Sequence, residues 1–206
     1  MKTKSVLELA DVKAIAAAAE AEKLAGGIVD VLINNAGIIQ PFIKINELTF
    51  EQAEKVMNVN FYGPFAMIKA FLPGLLQRPQ AHILNVSSMG AYAPVPGQSV
   101  YGASKAAVKL LTEGLRSELM GTSVGVTIVF PGAVATNITT NSGIEIPEIN
   151  ADAPAFKQTA APVAARMMID AIEKNKPRIT VGKDATMMDR ISRVNPVFAA
   201  NLIYKQ

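Results

Sequence analysis

The chain is predicted to fold as an α/β protein, a parallel doubly wound sheet with helices on both faces. Three observations predict it. Short β-branched runs alternate along the chain with longer helical stretches, as in a parallel sheet whose crossovers are helices. The helical stretches carry apolar residues at spacings of three and four, so each has a face to bury. Three of the strands end in polar, glycine or proline residues, namely Asn34-Asn35-Ala36-Gly37, Ser87-Ser88 and Pro131-Gly132. Ligands in such sheets sit beyond the carboxyl ends of the strands, so topology should gather these segments at one site.

The elements follow in order. An alanine-rich stretch from about Asp11 to Ala25 reads as a helix stopped by Gly26-Gly27. Val29–Ile33 is short and β-branched, a buried strand running into the asparagine turn. Thr49, followed by Glu51 and Gln52, starts the next helix, with Met57, Phe61, Phe65, Ile68, Leu72 and Leu75 on one stripe. Pro64 should kink it, and Pro73-Gly74 should loosen or end it. The strand Ala81–Val86 leads to Ser87-Ser88. A loop with Pro94 and Pro96 precedes a helix from about Val100 to Met120, which buries Val108, Leu111, Leu115 and Leu119. Val124–Phe130 is another apolar strand, stopped by Pro131-Gly132. Residues 138–160 lack a strong period and read as a long loop or a mobile lid. A helix near Pro162–Lys174, a strand Arg178–Val181 and terminal helical segments complete the chain.

Bulk properties bound the function. Of the 206 residues, half are apolar and 18% charged, which suits one domain over residues 1–206 with a substantial core. The net charge of +3 comes from scattered basic residues without a run, which argues against a nucleic-acid partner. There is no cysteine, so disulfides and thiolate metal sites are excluded and a reducing compartment fits. The N-terminus lacks the apolar core of a signal peptide. No stretch reaches the roughly 18 uninterrupted apolar residues of a membrane span. The expectation is a cytoplasmic protein with no membrane partner. His82, the one histidine, sits in an apolar strand and reads as a packed or edge residue rather than a ligand, so no metal site is expected. Met167-Met168 and Met187-Met188 read as core or interface filling.

The chemistry centres on Tyr101-Gly102-Ala103-Ser104-Lys105, with Ser88 thirteen residues upstream. On a helix, Lys105 lies one turn from Tyr101 on the same face. A free phenol titrates near pH 10, and a nearby ammonium favours its ionised form (about pH 10 from model peptides). Tyr101 can then serve as acid on a carbonyl or base on an alcohol, while Ser88 holds and polarises the same oxygen. Alone, a tyrosine and a lysine four apart are an ordinary solvated pair. The serine after a strand, the asparagine turn and Pro131-Gly132 together lift the pair to a candidate site.

With these residues the chain resembles the short-chain dehydrogenase/reductase family over nearly its whole length. Asn34-Asn35-Ala36-Gly37, Asn60 in Val59-Asn60-Phe61-Tyr62-Gly63, Ser88, Tyr101, Lys105 and Pro131-Gly132-Ala133-Val134-Ala135-Thr136 match its motifs, as does Val181-Gly182-Lys183-Asp184-Ala185. The resemblance implies a three-layer Rossmann-like sheet and hydride transfer between NAD or NADP and a small carbonyl or alcohol substrate. It implies that Tyr101 exchanges the proton, Lys105 binds the nicotinamide ribose and lowers the tyrosine pKa, and Ser88 positions the substrate oxygen. Asn60 would hold a water linking Lys105 to solvent. Val134 and Thr136, with Pro131 and Gly132, would meet the nicotinamide. Asn35, Ala36 and Gly37 would pass along the adenosine side. Homo-oligomers through the helices at 49–77 and 100–120 are also implied.

The resemblance is incomplete at its start. Full members carry a glycine-rich phosphate turn and roughly 50 more residues before the asparagine turn, by the size of a βαβ unit. The only glycines before Asn34 here are Gly26 and Gly27. The expectation is therefore a fold missing its first β-α-β unit, with apolar sheet edges exposed, whether as a fragment, through a misread start or by loss. The residue that selects NAD over NADP is absent with it. Asp11-Val12 is either the family's pair beside the adenine or a helix cap. The missing cradle leaves an alternative open, a non-catalytic scaffold or interaction protein.

Overall fold

The computed structural model describes residues 26–144 and 158–204. The expected helix over 11–25, the Asp11-Val12 pair and much of the 138–160 segment lie outside the described residues. Four parallel strands form the main sheet in the order β1 (Val31–Asn34), β2 (Ala81–Val86), β3 (Val124–Pro131) and β6 (Arg178–Val181). Val134–Ala135 (β4) and Thr159–Ala160 (β5) form a second, two-stranded parallel ribbon. Sequence reading missed it, because two residues carry no period.

The strand period of two sorts side chains to opposite faces. Ile83, Val126 and Leu32 pack with Ile68, Phe71, Leu75, Leu115 and Leu119 on one face. These come from α2 (Gly63–Leu75) and from α3 (Ser99–Glu118) with its C-cap Leu119. Leu84, Val129 and Val181 face the other way, against Ala164, Met168 and Ile172 of α5 (Ala161–Glu173). This is the three-layer arrangement. Among the described residues no strand pairs with the outer edge of β1, where Val31 and Ile33 are exposed.

The first helical pair differs from expectation in an informative way. Thr49 caps α1 (Phe50–Met57) through a reciprocal box with Gln52. A π-turn at Asn58–Tyr62 then joins α1 to α2, with the Gly63 N–H donating to Asn58 O. Pro64, expected to kink one continuous helix, sits at the start of α2 instead. Its missing N–H falls where the regular ladder is already interrupted. The extra residue turns Asn60 inward, fully buried, and leaves Phe65 exposed, off the expected stripe. The helix passes Pro73-Gly74 by one residue and ends at Leu75.

After β3 and β4, residues 138–160 open with a short helix α4 (Ile138–Ser142) and close on β5. Thr159 N donates to Ala133 O, so the ends of this excursion are tied together. After β6, α6 (Lys183–Val194) and α7 (Pro196–Tyr204) pack through Met188 and Ala199 onto Ala93. In each methionine pair one side chain faces in and one out: Met188 is buried and Met187 exposed, while Met168 packs inward and Met167 does not. His82 is buried, as expected, and bonds Thr127 Oγ1 at 2.7 Å. Thr127 gives its own proton to Lys176 O, so His82 carries hydrogen on Nε2. Burial lowers its pKa.

Candidate active site

The carboxyl ends of β1, β2 and β3 bring the expected residues to one place. A cavity of about 660 Å³ is lined by Ser88, Tyr101 and Lys105 on one side. Pro131, Gly132, Val134, Thr136 and Asn35 contribute to its rim. Ala36 stays exposed on the turn, and Gly37 and Asn60 stand behind Lys105. A larger groove of about 910 Å³ lies between α5 and α6, lined by Val163, Met167, Met187 and Arg190 among others. Lys183, Asp184 and Thr186 also line it, and Asp184 is engaged by Ala133 N, whereas Ser88, Tyr101 and Lys105 line the smaller cavity.

The two serines after β2 divide their work. Ser87 is buried and donates to Lys105 O at 2.7 Å, bracing α3 against the sheet. Ser88 caps the short 3₁₀ turn Met89–Ala91 by accepting from Gly90 N at 3.0 Å. The same hydroxyl also engages the Tyr101 phenol. The approach is close: a Cβ on Gly102 would stand 2.9 Å from Gly90 O, and one on Gly90 3.4 Å from the Tyr101 ring. Two glycines thus let the Ser88 turn rest on the first turn of α3.

Burial raises the Tyr101 pKa, and the Ser88 hydrogen bond pulls it back in part. Lys105 is not among the groups that shift it. Its own ammonium is buried, 3% exposed, and donates to Val86 O at 3.0 Å. Burial lowers its pKa to about 8. The lysine that sequence reasoning assigned to lowering the tyrosine is itself a displaced base, its pKa lowered by burial.

Behind Lys105 stands a fully bonded asparagine. Asn60 accepts from Ile38 N and donates to Ile38 O, both at 2.9 Å. It also donates to Ser104 Oγ at 2.9 Å, and Ser104 in turn donates to Tyr101 O. Gly37 fits into the same layer, since a Cβ there would lie 3.0 Å from Lys105 Nζ. Asn34 is structural: it donates to Asn85, which donates to Thr112 of α3. Asp184 was matched only as part of a motif, and its role appears here. It accepts from Ala133 N at 2.7 Å, pinning the turn that follows β3. Its carboxylate fills the space that a Cβ on Gly132 or Gly182 would need. No period marks such a contact across 51 residues. Among the described residues no cluster of acidic and histidine side chains could hold a metal. No described helix is long and apolar enough to cross a membrane.

A sheet that gathers a serine, a tyrosine and a lysine at its carboxyl edge defines a class. The family profile for short chain dehydrogenases matches residues 4–146, and the chain belongs to that family. Dehydrogenase/reductase SDR family member 7B of Mus musculus is 37% identical over 177 residues, 82% of this chain and 53% of its own. A short chain dehydrogenase from Burkholderia cenocepacia, solved in complex with NADP, is 28% identical with a TM-score of 0.77, over 94% of this chain and 78% of that one. One from Burkholderia phymatum, in complex with NAD, is 26% identical with a TM-score of 0.67, over 84% and 68%. The chain spans 34% to 53% of the length of the first curated relatives it matches.

Proposed function

We propose that this chain is an NAD(P)-dependent oxidoreductase acting on a carbonyl or alcohol group, with Tyr101 as the proton-exchanging residue. The observation that carries the reading is the convergence of Ser88, Tyr101, Lys105 and the Pro131–Thr136 turn on one cavity. When bound, the nicotinamide supplies or accepts the hydride. The residues present fit its nicotinamide and ribose end. Lys105 Nζ can reach a ribose hydroxyl, Val134 and Thr136 can meet the carboxamide, and Gly37 leaves that layer open. Asn35, Ala36 and Gly37 lie along the path toward the adenosine. The polyphosphate end has no glycine turn in this sequence. Gly26 and Gly27 form a turn in which an added Cβ would meet no described residue within 4 Å.

The chain's own groups suit carbonyl reduction near neutral pH. A tyrosine with a raised pKa is protonated there and can give its proton to the oxygen of a carbonyl as that oxygen gains charge. Ser88 can donate a hydrogen bond to the same oxygen and stabilise the charge that develops on it. Lys105, with a pKa of about 8, can return a proton to the phenolate near neutrality. Asn60 has its side chain occupied by Ile38 and Ser104, so its backbone carbonyl is what remains to hold a relay water. The test is turnover of a carbonyl panel with NADH and NADPH. Tyr101→Phe should lower the rate by at least about a hundredfold while leaving circular dichroism unchanged. An unchanged rate removes Tyr101 from the mechanism.

A second reading concerns assembly. Phe50, Phe65 and Leu110 are exposed on α1, α2 and α3, which supports pairing through these helices, in homo-oligomers or in a scaffold without turnover. A strict monomer in light scattering would count against it.

A further inference from the structure

The catalytic helix has no cap of its own. Gln98 precedes α3 but makes no side-chain cap bond, so the first N–H groups of the helix need partners from elsewhere. They find one far upstream in the chain. The side-chain oxygen of Gln40 accepts from Val100 N at 2.8 Å and from Tyr101 N at 3.0 Å. Its amide nitrogen donates to Gly97 O at 2.8 Å. Its backbone oxygen accepts from the Gln98 side chain at 2.7 Å. Gln40 is 1% exposed, so water does not compete for these bonds.

We propose that Gln40 is a positioning residue for Tyr101, capping the catalytic helix from another loop. The proposal rests on the reading of Tyr101 as the proton-exchanging group. Tyr101 is the third residue of α3, in the turn of a helix that frays first. A proton donor must be held to within about half an ångström of its productive position. Here the main chain of Tyr101 is fixed on both sides. Gln40 takes its N–H, and Ser104, itself held by Asn60, donates to its carbonyl. Both supports trace to one short segment, because Asn60 is bonded to Ile38 two residues before Gln40. The loop leaving β1 therefore carries the reference frame for the phenol.

The residue type follows from the bonds. One acceptor must serve two N–H groups while one donor serves a carbonyl, and a carboxamide does both with its oxygen and its nitrogen. Glutamate keeps the acceptor but lacks the donor for Gly97 O. Methionine keeps the shape and loses all three side-chain bonds. The backbones are also fitted closely: Gly97 has φ +77, and a Cβ there would meet Phe42 C at 3.3 Å.

The test compares Gln40→Met, Gln40→Glu and the wild type by amide hydrogen exchange and by steady-state kinetics. In Gln40→Met, exchange at Val100 and Tyr101 should accelerate at least about tenfold, the size of a lost cap. Exchange from Val108 to Leu115 should be unchanged. Gln40→Glu should restore much of the protection. With a carbonyl substrate, Gln40→Met should lower kcat about tenfold or more with KM for the reduced nucleotide nearly unchanged. Unaltered exchange at Val100 and Tyr101 overturns the capping claim, and unaltered kcat in a turning-over enzyme overturns the positioning claim. Exchange needs no substrate, so it separates this proposal from the activity itself. Should Gln40→Met not fold, Gln40→Glu decides: protection retained supports the cap, protection lost at these amides as fully as in an unstructured turn refutes it.

Discussion

Replacing Lys105 by methionine should stabilise the fold at neutral pH while removing function. The ammonium is buried and its pKa falls from 10.5 to about 8, a displacement of roughly 2.5 units, or about 3 kcal/mol at 1.36 kcal/mol per unit. A lowered lysine pKa means that the folded state binds fewer protons than the unfolded one between these values, so stability rises with pH across that window. The full penalty is present below about pH 8, where both states are charged, and is lost above about pH 10.5. Methionine removes the penalty but also the bond to Val86 O, a loss of about 1 kcal/mol. The net expectation is a gain of about 2 kcal/mol at pH 7, shrinking to about zero at pH 10. Urea denaturation of both proteins at the two pH values measures it. The difference between them cancels the tyrosines, which titrate in both. Equal stability at pH 7, or a difference that does not change with pH, would refute the argument that the site stores an unfavourable buried charge.

Two further outcomes test the frame around the site. Gly132→Ala should cost about 2 kcal/mol, because its methyl group meets the Asp184 carboxylate. In an Asp184→Ala background the same change should cost under about 1 kcal/mol, a coupling that denaturation of the double mutant reads directly. His82 has a lowered pKa, so it contributes stability that is fully present above its unfolded value of about 6.5 and lost as pH falls through the folded value. His82→Gln should flatten the acid side of the stability curve, and an unchanged slope in urea titrations would show that the histidine does not titrate as described.

Much of this was legible in the sequence, for identifiable reasons. The four strands of the main sheet announced themselves by β-branched runs, and the helix start at Thr49 by the Glu51 and Gln52 that follow it. Ser88, Tyr101 and Lys105 stood out as a candidate site through a strand end, a helix spacing and the resemblance to the family together. What escaped notice lacks a period. The π-turn at Asn58–Tyr62 brings Asn60 inward, where it bonds Ile38 and Ser104, contacts that no local pattern shows. Gln40 and Asp184 act through single side chains on backbone groups 61 and 51 residues away. The direction of the Tyr101 shift was also missed, since burial, which outweighs the charge argument made from spacing, is a property of the packed core. The choice between NAD and NADP left no signal in these residues.

The most direct test of the central claim is a titration of the folded chain with NADH and with NADPH, followed by calorimetry and nicotinamide fluorescence. The account predicts that one of them binds at micromolar concentration, about −8 kcal/mol, with its nicotinamide emission changed by the cavity. A chain folded by circular dichroism that binds neither nucleotide up to about millimolar, about −4 kcal/mol, would contradict it.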